Sequence, residues 1–129
     1  MFYRFNKFNP LFLPFKMKHS YEEVISALLK FRDDRDWEQF HDSKNLALAL
    51  SIESAELNEL FLWKKFPESE NISSEKLKEE LADVLSFAFL LADKHGLNPF
   101  EVVLDKIAKN NEKYPVEKAK GRSDKYTEL

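Results

Sequence analysis

An all-α, four-helix bundle-like fold is what this chain predicts, and three observations predict it. Two glycines and five prolines in 129 residues are too few for the turns of a β-sandwich or the glycine loop of a nucleotide-binding βαβ unit. From position 20 onward, apolar residues recur at three- and four-residue spacings. The periodic stretches open on Ser or Asn, and the last three stop at Gly or Pro. A mass of 15.3 kDa is one domain's worth of chain. At 43% hydrophobic and 33% charged residues, wholesale disorder is excluded. The absence of cysteine excludes a disulfide framework, a thiolate zinc site and a cysteine nucleophile.

The first eighteen residues stand apart from the remainder of the chain. Met1 to Phe15 holds five of the twelve phenylalanines, and Pro10 and Pro14 interrupt the apolar stretch and forbid a helix. No uninterrupted apolar region with a small-residue cleavage site is present, so a secretory signal is not expected. Residues 1–18 are expected to be an appendage without a catalytic role. They form either a leader, with Met17 as the natural start, or an aromatic arm packed on the core or on a neighbouring subunit. Residues 19–129 form the single domain, and the cytoplasm is the expected compartment. The longest apolar run, Val84 to Ala92, includes Ser86 and is too short to span a membrane.

Ser20 caps a first helix, in which Val24, Leu28 and Phe31 mark one face up to about Arg35. Asp33 to Asp42, with Trp37 and Phe40, reads as a loop or a short helical turn. Ser43 caps a second helix that runs to about Lys65, where Pro67 and a Ser/Asn cluster end it. Ser73 or Ser74 opens a third, which closes at Gly96 with His95 in its last turn. Asn98 begins the fourth, with Pro99 at its first position and Glu101 completing a capping box, and Pro115 stops it near Tyr114. Between Val84 and Ala92 the third helix is apolar nearly all round. That is too much for a lone bundle with one wet face, so a homo-oligomer, dimer or tetramer, is expected.

The net charge of −3 is unevenly spread. Residues 53–83 carry nine acids against four bases, whereas residues 106–129 carry seven bases against four acids. With no continuous basic stripe and a pI near 5.7, a nucleic-acid partner is not expected. An acidic centre beside a basic end suits a cation and an anion bound together, although solvated helix faces give the same totals.

On the second helix Glu53 and Glu56 fall inside the apolar stripe of Leu46, Ala49, Leu50, Leu57 and Leu60. On the third, Glu80 and Asp83 flank the stripe of Leu77, Leu81, Val84 and Ala88. Each pair is spaced i, i+3 and shares one side of its helix. Two such pairs on adjacent antiparallel helices would bring four negative charges to one place. At ~4 Å a pair of like charges repels by roughly 4 kcal/mol at an effective dielectric of about 20. A hard divalent cation is the economical compensation, and all-oxygen ligands select Mg²⁺ or Mn²⁺. A di-iron centre would need two Glu-x-x-His motifs on core helices; the chain has one, Glu38 to His41, in the connecting segment. Surface acids on helices of another register remain the bland alternative.

Glu53-Ser-Ala-Glu56, the Leu-Asn-Glu-Leu-Phe-Leu-Trp63-Lys64 that succeeds it, and Glu80-Leu-Ala-Asp83 resemble the MazG-like all-α nucleoside triphosphate pyrophosphohydrolases. Arg35-Asp-Trp37-Glu-Gln-Phe-His41 and the ending Lys125-Tyr126-Thr-Glu-Leu look like the dCTP pyrophosphatase branch of that family. The resemblance runs from about Tyr21 to Leu129 and has no counterpart for the first eighteen residues. It implies a MazG-type fold and Mg²⁺-dependent cleavage of a nucleoside triphosphate to monophosphate and pyrophosphate. Glu53, Glu56, Glu80 and Asp83 match the family's metal-binding acids, one of the glutamates acting instead on the attacking water. Lys106, Asn110, Lys113 and Tyr114 lie along one face of the fourth helix. By spacing alone that is equally a solvated face, but Lys106, Asn110 and Tyr114 match the family's phosphate-binding element. Trp37 and Trp63 match aromatics that line the base pocket, and His41 is placed to hydrogen-bond base or sugar. The implied function is nucleotide-pool housecleaning on dCTP or a modified dCTP. A dUTP or dATP pocket would use the same tryptophans, phosphoribosyl-ATP is a weaker candidate, and a catalytically silent helical oligomerisation module is the alternative of another class.

Overall fold

The computed structural model describes residues 18–129; the rest of the expected N-terminal appendage lies outside the described residues. Contacts divide the chain into two compact units, Ser20–Pro99 forming one and Phe100–Leu129 belonging to the other. Among the described residues there is no strand, and no helix is long and apolar enough to cross a membrane.

The first unit holds three helices, α1 (Tyr21–Asp33), α2 (Ser43–Glu59) and α3 (Ser74–Lys94). Ser20 caps α1 as expected, in a reciprocal box: its hydroxyl accepts from the Glu23 N–H at 3.2 Å, and Glu23 accepts from the Ser20 N–H at 2.9 Å. The chain leaves α1 through Asp36 at φ 55, a left-handed position that a short polar side chain tolerates. It then makes one 3-10 turn, Glu38–Phe40, within the segment expected to be a loop or short turn.

Two boundaries of α2 differ from expectation. Its cap is Asp42, whose carboxylate accepts from the Asn45 N–H at 2.7 Å and sets a negative charge at the positive end of the helix. Ser43 instead places its hydroxyl 2.9 Å from His95 Nε2, tying the start of α2 to the end of α3. The helix also stops at Glu59, short of Lys65. From Leu60 the backbone tightens into i→i+3 bonds, Leu60 N–H to Leu57 O at 3.3 Å and Leu62 N–H to Glu59 O at 3.1 Å. Trp63 then takes φ 63 and breaks the pattern. Ser73 caps α3, and Gly96 comes after its end at φ 65, a conformation glycine adopts without steric penalty.

α2 and α3 pack antiparallel, and α1 lies against α3. Ser43 meets His95, Leu46 and Leu90 face the same space, and Glu53 stands opposite Glu80 and Asp83. The buried apolar residues among those described are Ile25, Leu46 and Leu90, with Tyr21 edge-on to Phe89 at 5.7 Å. Much apolar surface stays outside. Leu48 and Ile52 on α2 and Leu81 and Leu85 on α3 are all exposed, the last within the apolar run that predicts an oligomer.

In the second unit α4 (Pro99–Lys113) starts at Pro99 and stops before Pro115, as its punctuation predicts. A single turn, α5 (Val116–Ala119), and a 3-10 turn, Tyr126–Glu128, complete the chain. Tyr126 lies edge-on to Tyr114 at 6.0 Å, with Lys113 Nζ 4.9 Å from its ring centre.

Candidate functional site

The α2–α3 pairing converts two sequence-distant motifs into one cluster. Because Glu53 and Glu56 share one side of α2, and Glu80 and Asp83 one side of α3, antiparallel packing turns the pairs toward each other. One carboxylate oxygen each from Glu53, Glu80 and Asp83 lie within 4.8 Å of one another. Glu53 and Glu80 are half-buried and Asp83 is exposed. Glu56 is outside that triangle and exposed, yet near enough to act on Glu53. Burial first, and then the charges of Glu56, Asp83 and Glu80, hold the Glu53 carboxyl above the usual carboxylate range. A hydrogen bond shared with Glu56 adds to the shift. The donor set is all oxygen and anionic and is crowded enough to resist its own ionisation, so it fits a hard divalent cation.

A second feature lies at the other end of the same helix pair. Leu29, Arg32, Glu38, His41, Leu46, Leu90, Asp93 and Lys94 line a cavity of about 320 Å³, large enough for a nucleobase. Leu46 precedes Glu53 by seven residues, and Leu90 lies seven beyond Asp83, so the cavity sits about 10 Å along the pair from the acids. His41 Nδ1 is buried with no hydrogen-bond partner, and its ring sits 6.4 Å from that of Phe87. Burial, then the charges of Arg32 and Lys94, lower the His41 pKa below its ordinary value. The imidazole is therefore kept neutral. Trp37 is held nearby by Phe31, edge-on at 5.8 Å, and by the Arg35 guanidinium, which lies 3.7 Å over the Phe31 ring.

Trp63 is not part of this end. It lies beyond the far terminus of α2, and at 17 residues α2 is about 25 Å long. Trp63 is 91% exposed, flanked by exposed Leu62 and Phe66. Its left-handed backbone is unusual for an aromatic residue. The three residues expected to line a base pocket thus divide, Trp37 and His41 at one end of α2 and Trp63 at the other. Asn110 on α4 and Tyr114 just after it are half-buried, and Lys106 on α4 is exposed. Tyr126 makes the ring contact with Tyr114 described above.

Sequence reasoning passed over Phe87, Arg32 and Lys94. Phe87 carried a signal, since it lies four residues beyond Asp83 and so shares its face of α3. Arg32 and Lys94 carried none, being basic residues in the last turns of two helices, where bases are ordinary.

The MazG-like family profile matches residues 48–129. dCTP pyrophosphatase 1 of Mus musculus is 37% identical over 123 residues, taking in 89% of this chain and 71% of its own length. dCTP pyrophosphatase 1 of Homo sapiens is 39% identical over 120 residues, with the same shares of each chain. Among solved structures, a pyrophosphatase from Archaeoglobus fulgidus is similar with a TM-score of 0.70 at 40% identity, over 78% of this chain and 99% of that one.

Proposed function

The chain belongs to the MazG-like family and is a nucleoside triphosphate pyrophosphohydrolase, and we propose that its substrate is dCTP or a modified dCTP. The products are then the monophosphate and pyrophosphate. One observation carries the reading: three carboxylate oxygens from two facing helices converge within 4.8 Å, at a carboxyl whose ionisation is opposed. The names of the relatives supply the base.

Glu53, Glu80 and Asp83 would hold Mg²⁺, or Mn²⁺ in its place. When bound, the ion would supply positive charge that offsets the charge developing on pyrophosphate. Glu56, exposed one turn from Glu53, takes the proton of the attacking water. Water oxygen bonds to the α-phosphorus as the bond to the bridging oxygen breaks, and that oxygen leaves with pyrophosphate. Trp37 stacks on the base, and His41 offers its neutral ring to a hydrogen bond from base or sugar; the unpartnered Nδ1 supports that role. Lys106, Asn110 and Tyr114 are the phosphate ligands of the reading, and Trp63 is its third base contact. A dimer or tetramer belongs to it too, supported by the apolar side chains exposed on α2 and α3. Removing non-canonical or excess deoxynucleotides is cytoplasmic work.

Pyrophosphate release from a panel of deoxynucleoside triphosphates with Mg²⁺ tests the proposal, with dCTP turned over fastest. Preference for dUTP or dATP would keep the chemistry and replace the base. No release from any of them would leave a silent oligomerisation module.

A further inference from the structure

The backbone of Trp37 is pinned on both sides. Before it, Asp36 takes its left-handed φ of 55, and the Gln39 side-chain amide donates to the Asp36 carbonyl and carboxylate, at 2.8 Å each. The Trp37 N–H itself donates to the Arg32 carbonyl at 3.1 Å, and the Trp37 carbonyl accepts from the Phe40 N–H at 2.9 Å. None of these bonds fixes the indole, which is 44% exposed.

The group that reaches the indole is Arg35, and its neighbours leave it free to do so. Four acids lie close to it in sequence, Asp33, Asp34, Asp36 and Glu38. A guanidinium among carboxylates ordinarily forks onto one of them. Here each acid has another partner: Asp33 and Glu38 take Arg32, Asp34 takes Lys30, and Asp36 takes Gln39. Among the described residues Arg35 enters no ion pair. Its guanidinium lies instead 3.7 Å over the Phe31 ring, four residues back, and donates to the Phe31 carbonyl at 2.9 Å. The same guanidinium is 5.9 Å from the centre of the Trp37 ring, within cation–π range, and Phe31 and Trp37 are edge-on to each other.

We infer that Arg35 is a positioning residue of the base site: bridging Phe31 and Trp37, it holds the indole ready for a base and acts through Trp37, not on the triphosphate. A side chain that is already ordered loses less freedom when a ligand stacks on it. That gain is equal in ground and transition states, so it falls on KM and not on kcat. The inference rests on the proposed nucleotide reading for what Trp37 receives, but the hold of Arg35 on the indole does not.

The chain has two tryptophans, so in a Trp63→Phe background fluorescence reports Trp37 alone. There Arg35→Ala should lower the anisotropy of Trp37 and raise its quenching by acrylamide. Arg35→Lys should recover little, because an ammonium has no plane to lay over a ring. Unchanged anisotropy and quenching in Arg35→Ala, or full recovery by Arg35→Lys, would overturn the stacked bridge. With Trp63 intact, Arg35→Ala should raise KM for dCTP about 2- to 10-fold with kcat little changed. Added to Trp37→Ala it should cost nothing further, since two residues that act through one contact are not additive. A KM cost that persists in the Trp37→Ala background would overturn the inference, and its shrinking with added salt would place Arg35 on the phosphates. If wild type turns over no triphosphate, the nucleotide reading fails by itself, and the fluorescence still decides whether Arg35 holds the indole.

Discussion

The two ends of the α2–α3 pair resist charge for opposite reasons. At the acid cluster Glu53 is crowded by other carboxylates, and its burial comes with negative neighbours. At the other end of the pair His41 is buried, and its burial comes with the positive neighbours Arg32 and Lys94. Burial alone moves an acid up and a base down, and like charges deepen each shift. An unliganded protein gains nothing from either arrangement. Each becomes useful when something of the missing kind arrives, a cation among the carboxylates and an uncharged hydrogen-bonding partner beside a neutral imidazole. In the proposed reading, a nucleoside triphosphate with its metal brings both.

The sharpest way to break that comparison is to remove one end and leave the other. Asp83→Ala takes a ligand from the cluster, and turnover of dCTP should fall by at least ~10²-fold. Nucleotide should still quench the fluorescence of Trp37 in a Trp63→Phe background. A variant with near-normal kcat would show that Asp83 holds nothing the reaction uses.

Trp37→Ala acts on the other end. Base–aromatic stacking is worth ~1–3 kcal/mol, so KM for the preferred base should rise about 5- to 150-fold. The kcat should change little, because stacking acts on ground and transition states alike. An unchanged ranking of bases would mean that Trp37 only packs on Phe31 and Arg35.

The smallest effect is the pH response of His41. Its folded pKa is lowered, so its contribution to stability is complete above the ordinary histidine value near ~6.5 and is lost as pH falls through the lowered folded value. Relative to His41→Gln, wild type should therefore lose melting temperature on going from pH 7.5 to acid. Parallel curves for the two proteins would show that the ring is not kept neutral by burial beside Arg32 and Lys94.

The four main helices were legible because capping residues and apolar periodicity agreed at each of them. The shared side of each acid pair was legible too, since i, i+3 spacing fixes a side of the helix. Glu53, Glu80 and Asp83 converge, whereas Glu56 stays outside the cluster and both it and Asp83 are exposed. What the family match obscured was position along the helix. Trp37 and His41 precede the expected second helix and Trp63 lies near its end, so their separation followed from that helix, but the match to base-pocket aromatics grouped all three. The end of α2 misled for a related reason. Leu60, Phe61 and Leu62 continue an apolar run, and nothing in apolar character reveals a backbone tightening before a left-handed tryptophan. The cap slipped by one because Asp42 and Ser43 are both good capping residues, and His95, 52 residues further on, decides how Ser43 is used.

Melting temperature of Glu53→Gln against wild type, in EDTA and in Mg²⁺, tests the cation site most directly. The folded pKa of Glu53 is raised, so its contribution to stability is present below the ordinary glutamate value and is lost as pH rises through the raised value. At pH 7 without metal the ionised Glu53 should therefore destabilise wild type, and Glu53→Gln should melt higher, the gap closing toward pH 4. A ligand at ~100 times its Kd adds about 2.7 kcal/mol, and each kcal/mol is worth roughly 3–6 °C in a domain of this size. Saturating Mg²⁺ should thus raise the wild-type melting point by several degrees, far more than sodium chloride of equal ionic strength, and raise the variant's by less. If Glu53→Gln melts lower than wild type in EDTA at pH 7, Glu53 is satisfied by protein partners and the carboxylates do not await a cation.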